Sequence, residues 1–149
     1  KCSGHLGVAG GQYLDLSYEK RKVSKKKIIE MEIKKTGKLF SFCCVAPALK
    51  KKKDNQEIKF FENLGSKIGL LFQIADDLID FHGNSKSAGK QTGKDQKKGK
   101  ATLISLMGYT NAVKYCDRLI TDTNKALKKY GLKSKNLKDT LEYILKRDR

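Results

Sequence analysis

Residues 56–82 carry the longest apolar periodicity in the chain. Phe60, Phe61, Leu64, Ile68, Leu71, Phe72, Ala75, Leu78 and Ile79 recur at helical spacing. A helix of that length with so broad an apolar stripe must be covered by other helices. No alternating apolar–polar run appears elsewhere, so the expected class is all-α. The end of this segment reads "GLLFQIADDLID" and sets Asp76, Asp77 and Asp80 among apolar residues, with Gln73 one turn earlier. At i, i+3, i+4 and i+7 these four stack on one face, while Leu71, Ala75 and Leu78 point elsewhere. Adjacent carboxylates repel, and a cation makes such a cluster tolerable. Hard oxygen donors suit Mg²⁺, which keeps several waters and shares its shell with substrate phosphates. Acids that merely face solvent or pair with nearby lysines are the plainer alternative.

The remaining segments also read as helices. Residues 3–18 place Leu6, Ala9, Gly10, Tyr13, Leu14 and Leu16 at near-helical spacing. Ser24 caps a second segment that runs to about residue 35. "TGKLFSFCCVAPAL" continues as a buried helix with Pro47 near its end, and "KKKKDNQ" makes a polar turn. "HGNSKSAGKQTGKDQKKGK" is a loop. Two more helices are expected, over about 101–130 and 136–147.

Composition narrows the function classes. The 149 residues suit one compact domain, with 38% hydrophobic and 33% charged residues and a net charge of +17. Such a charge points first to nucleic acid or an anionic surface. The lysines, however, fall in separate clusters, there is no Trp, and no aromatic platform is interleaved with them. Most therefore read as solvated helix faces, a minority as contacts to a phosphate-bearing substrate, and nucleic acid is not the expected partner. Cys2, Cys43, Cys44 and Cys116 form no CxxC pair, which argues for reduced thiols and against structural zinc. No signal peptide is visible, and no apolar run approaches the roughly 18 residues of a membrane span. A cytoplasmic setting is expected. The chain opens at Lys1 directly into "CSGHLGVAGGQYLDL", so further sequence upstream is expected as well.

The acidic cluster keeps informative company. "GKQTGKD" offers Lys90, Lys94 and the amides of Gly89 and Gly93 to an anion. "KTG" places Lys35 and Thr36 in an apolar helical stretch, where a lysine is costly unless an anion meets it. "GGQYLDL" adds Gln12 and Asp15 one turn apart.

In order, "GGQYLDL", "KTGKLF", "GLLFQIADDLID", "GKQTGKDQKKGKAT" and "YILKRDR" resemble the C-terminal half of a trans-isoprenyl diphosphate synthase, with the bacterial farnesyl type most similar. The resemblance spans essentially all 149 residues and implies half of one isoprenoid synthase-type helical bundle. It implies Mg²⁺-dependent condensation of isopentenyl diphosphate with an allylic diphosphate, and about three Mg²⁺ ions in the complete enzyme. Asp76 would be the main metal ligand, supported by Asp77 and Asp80. Lys35, Thr36, Gln73, Lys90 and Lys100 would hold the allylic diphosphate, and Gln12, Asp15 and Phe72 would line the reacting cavity. Lys35, Asp76, Lys90 and Asp15 are the implied catalytic set. Asp95 and Lys100 match positions of a closing loop, and Arg147 and Arg149 a basic tail. A homodimer is implied too. A geranylgeranyl or longer-chain synthase and a catalytically silent relative stay open, as does, remotely, a basic helical nucleic-acid-binding protein. "DDLID" argues against a terpene cyclase. The family's first aspartate-rich motif and its isopentenyl diphosphate site lie outside these residues, so the chain alone is expected to be inactive. An open half-bundle is expected to expose the apolar face of the "DDLID" helix.

Overall fold

The computed structural model describes residues 1–82 and 99–146. Among them are seven α-helices: α1 (Val8–Ser17), α2 (Lys25–Glu32), α3 (Lys38–Lys50), α4 (Asn55–His82), α5 (Leu103–Met107), α6 (Tyr109–Leu127) and α7 (Lys135–Lys146). A π-helical turn, Ile33–Gly37, joins α2 to α3, and a 3₁₀ segment, Lys128–Ser134, joins α6 to α7. The described residues contain no strand, as the periodicity predicts. None of their helices is long and apolar enough to cross a membrane.

The long helix α4 is the axis of the molecule. Asp54 starts it by accepting the Glu57 amide at 2.8 Å, which satisfies one of the orphan donors of the first turn. Its stripe Leu64, Ile68, Leu71, Ile74, Ala75 and Leu78 is buried. Around it lie Ile28 and Met31 of α2, Leu103 and Ile104 of α5, Cys116 and Leu127 of α6, and Leu141 of α7. Ser24 caps α2 as its spacing predicts, its hydroxyl accepting from Lys27 N at 3.5 Å.

Helices α3 and α4 approach so closely that their backbones nearly touch. A Cβ on Gly65 would lie 2.4 Å from Ser41 Cα, and one on Gly69 would lie 2.5 Å from Gly37 Cα. This glycine seam draws the π-helical turn onto α4 and places Thr36 opposite Gln73.

The structure departs from the sequence expectations at four points. The first helix runs over Val8–Ser17, not 3–18. The segment expected as one helix over 101–130 is broken: Thr102 and Ser105 form a capping box for the short α5, and Gly108, at φ +81°, ends it before α6. The α3 segment is not a buried helix, since only Ser41 and Ala48 are buried while Leu39, Phe42 and Leu49 are exposed. On the "DDLID" helix Leu71, Ala75 and Leu78 are buried and Phe81 is exposed, while the other exposed large apolar side chains among the described residues include Leu6, Tyr13 and Leu16 around α1 and those of α3. An apolar composition without a polar face reads as buried, but it cannot say that this chain supplies the cover.

Candidate active site

The chain brings α1, the π-helical turn, α4 and the segment before α5 to one place. Lys35 Nζ lies 2.5 Å from Asp15 Oδ2, and Lys100 Nζ lies 3.8 Å from the same oxygen. The anion that makes Lys35 tolerable in an apolar stretch is thus Asp15, twenty residues earlier and itself buried. Gly11 permits the meeting, because a Cβ there would fall 2.2 Å from Lys35 N. Lys100 is brought in by a backbone tie, Lys20 N donating to Gly99 O at 2.8 Å, with Gly99 in the left-handed region at φ +65°.

A second chain of contacts runs beside the first. Thr36 Oγ1 donates to Gln73 Oε1 at 2.9 Å, and Gln73 Nε2 donates to Asp77 Oδ1 at 2.9 Å. Gln73 is therefore fixed in orientation by partners on both sides. Asp77 and Asp80 are buried, and Asp76 is half-buried. Asp77 and Asp80 line a cavity of about 620 Å³ together with Arg21, Lys22, Lys100, Thr102 and Ser105, while Phe81, Ile104 and Leu106 give it apolar wall. Phe72 is half-buried and tilts against Phe40, ring centres 5.5 Å apart.

The other implied residues separate into two groups. Gln12 sits on the exposed side of α1, one turn from the buried Asp15, and lines none of the space around Lys35. Lys90, Lys94, Gly89, Gly93, Asp95, Arg147 and Arg149 lie outside the described residues. Among the described residues no three His, Cys, Asp or Glu side chains converge as a ready metal cage. The donors that face the cavity are nevertheless carboxylate oxygens beside cationic side chains. That set fits Mg²⁺ held by one or two carboxylates and completed by a phosphate ligand, and does not fit zinc.

Glu32 is the residue that sequence reading missed. Its side chain ends α2 with 2% exposure, and among the described residues neither carboxylate oxygen has a hydrogen-bond partner. It faces a void of about 10 Å³, room for one water, shared with Asp15, Lys35, Gln73, Asp77 and Lys100. Burial, and then the neighbouring Asp77 and Asp15 against the pull of Lys35, hold its carboxyl well above the usual carboxylate range. Its signal was an acid at i−3 from Lys35 inside the apolar run "IIEMEI".

A raised carboxyl leaves the folded chain holding a proton that the unfolded chain has released. Glu32 should therefore make the fold less stable as pH rises from its ordinary value of 4.5. In urea titrations Glu32→Gln is expected to remove that decline and to be the more stable form at neutral pH. An unchanged pH profile would show that Glu32 does not titrate abnormally.

The family model for polyprenyl synthetase matches residues 4–144. The farnesyl diphosphate synthase of Micrococcus luteus is 31% identical over 148 residues, covering 99% of this chain and 51% of that protein. The farnesyl diphosphate synthase of Escherichia coli is 32% identical over 152 residues, again with 99% and 51% coverage. A geranyltransferase from Helicobacter pylori, solved with magnesium and isoprenyl diphosphate, superposes with a TM-score of 0.81 at 28% identity, over 97% of this chain and 47% of that one. The chain thus spans about half the length of the relatives it matches. With the helices, the order of the motifs and these relatives in agreement, this chain belongs to the polyprenyl synthetase family.

Proposed function

We propose that this chain is the C-terminal half of a single isoprenoid synthase domain. It carries the diphosphate-holding half-site of a prenyltransferase that joins isopentenyl diphosphate to dimethylallyl or geranyl diphosphate, with farnesyl diphosphate as product. The observation that carries this reading is the meeting, at the C-terminal end of α4, of buried Asp77 and Asp80 with Arg21, Lys22 and Lys100 around one cavity. Carboxylates alone would repel a diphosphate, and lysines alone would hold it without metal. Both together suit a magnesium–diphosphate complex.

Each residue then has a task. Asp76, Asp77 and Asp80 would hold magnesium, which when bound neutralises the diphosphate and eases its departure. Lys35, Lys100 and Lys90 meet the charge that develops on the leaving diphosphate, and Thr36 and Gln73 orient its oxygens. For this, Lys35 must turn from Asp15 towards the incoming anion. Phe72, Phe81 and Leu106 keep water from the reacting carbons, and Asp15 lies on the side where positive charge develops. The complete enzyme works as a cytoplasmic homodimer in this reading. Because the chain covers half its relatives' length, a second reading is a half-site that binds metal–diphosphate without turnover.

Titration calorimetry tests the half-site. Inorganic pyrophosphate is expected to bind this chain only in the presence of Mg²⁺, and Mg²⁺-independent binding would contradict the assignment. In the complete enzyme, Lys35→Ala is expected to raise KM for the allylic diphosphate about tenfold more than KM for isopentenyl diphosphate. Equal changes in both would remove Lys35 from the allylic site.

A further inference from the structure

Two lysine clusters far apart in sequence meet at the N-terminal end of α4, away from the site. Lys50 ends α3 and Lys51, Lys52 and Lys53 occupy the turn before α4, while Lys128, Lys129 and Lys133 lie in the 3₁₀ segment and Lys135 opens α7; all are exposed. Glu57 ties the clusters together. Tyr130 Oη donates to its Oε1 at 3.2 Å, and Lys53 Nζ lies 3.0 Å from its Oε2. Tyr130 packs on Phe60 and Phe61, with ring centres 5.6 and 5.7 Å away, and the Lys129 ammonium stands 4.2 Å over the Phe60 ring. Twenty residues of α4 separate Glu57 from Asp77, about 30 Å along the axis, so this patch is not part of the cavity.

Within the lysine-rich 3₁₀ segment stands Leu132, which is 90% exposed. It follows Gly131, whose φ of +55° is a conformation that side-chain-bearing residues rarely adopt, and this turn leaves Leu132 almost wholly in water. Eight lysines here face three nearby carboxylates, Asp54, Glu57 and Asp139, of which Glu57 is paired with Lys53 and Asp139 with Lys135.

We propose that this end of the molecule docks on an anionic lipid bilayer, with the lysines against the headgroups and Leu132 at the acyl boundary. An apolar side chain amid ammonium groups matches a surface that is anionic outside and apolar beneath. A nucleic acid offers Leu132 no apolar environment, and Lys129 covers the Phe60 ring that would otherwise stack on bases. The inference does not rest on the proposed reaction. Docking here leaves the cavity, at the other end of α4, clear of the membrane.

The test is co-sedimentation of the full chain with vesicles, either pure phosphatidylcholine or phosphatidylcholine with about a third phosphatidylglycerol. Circular dichroism verifies that each variant is folded. The wild-type chain should sediment with the anionic vesicles alone. Leu132→Ser, with charge unchanged, should weaken this about tenfold. The pair Lys50→Glu and Lys133→Glu should weaken it about tenfold more than Lys26→Glu with Lys114→Glu, which removes the same charge elsewhere. No sedimentation, an unaffected Leu132→Ser, or equal losses from the two charge-reversal pairs would each overturn the proposal.

Discussion

Asp76→Ala is expected to slow prenyl transfer by the complete enzyme at least about a hundredfold, a barrier increase of roughly 2.7 kcal/mol. Asp76 precedes the buried Asp77 and lies one turn from Asp80, which lines the cavity. It is half-buried, so its loss should spare the fold and fall on the chemistry. The variant is expected to need more Mg²⁺ for half-maximal rate, since a lost carboxylate ligand weakens metal affinity. Steady-state kinetics over a Mg²⁺ series, with circular dichroism as the fold control, measures both. Turnover like that of the wild type would remove Asp76 from the site.

Gly65→Ala is expected to destabilise the fold by about 3 kcal/mol. The added methyl would meet Ser41 Cα at 2.4 Å and the Phe40 carbonyl oxygen at 2.5 Å, both backbone atoms of α3 that no side-chain rotation can move aside. α3 would have to lift from α4, and Thr36 would be drawn away from Gln73. Thermal unfolding should show a drop in Tm of roughly 10 °C. A Tm within a degree or two of wild type would mean that the seam is looser than its geometry indicates.

The helix α4 was legible because twenty-odd residues repeat one spacing, and the acids at its end declared themselves by interrupting it. The pairing of Lys35 with Asp15 was not legible. Sequence said that the lysine needed an anion, but the partner depends on how α1 crosses the π-helical turn, which Gly11 decides. The break at Gly108 had a local signal in Thr102 and Ser105, three residues apart, that the apolar run around them concealed. Glu32 was hidden for the opposite reason. An acid beside lysines reads as solvated, and only the packed structure encloses it between Asp77 and Asp15 without a hydrogen-bond partner among the described residues. The exposed side of α3 was misread because an apolar composition does not say which neighbours are present to cover it.

Product analysis by mass spectrometry, on the protein extended to its family's full length, decides whether it transfers prenyl groups. Isopentenyl diphosphate and geranyl diphosphate would be supplied with and without Mg²⁺. The expected result is farnesyl diphosphate, one isoprene unit longer than the allylic substrate, formed only when Mg²⁺ is present. A folded, Mg²⁺-loaded protein that forms no condensation product would contradict a prenyltransferase.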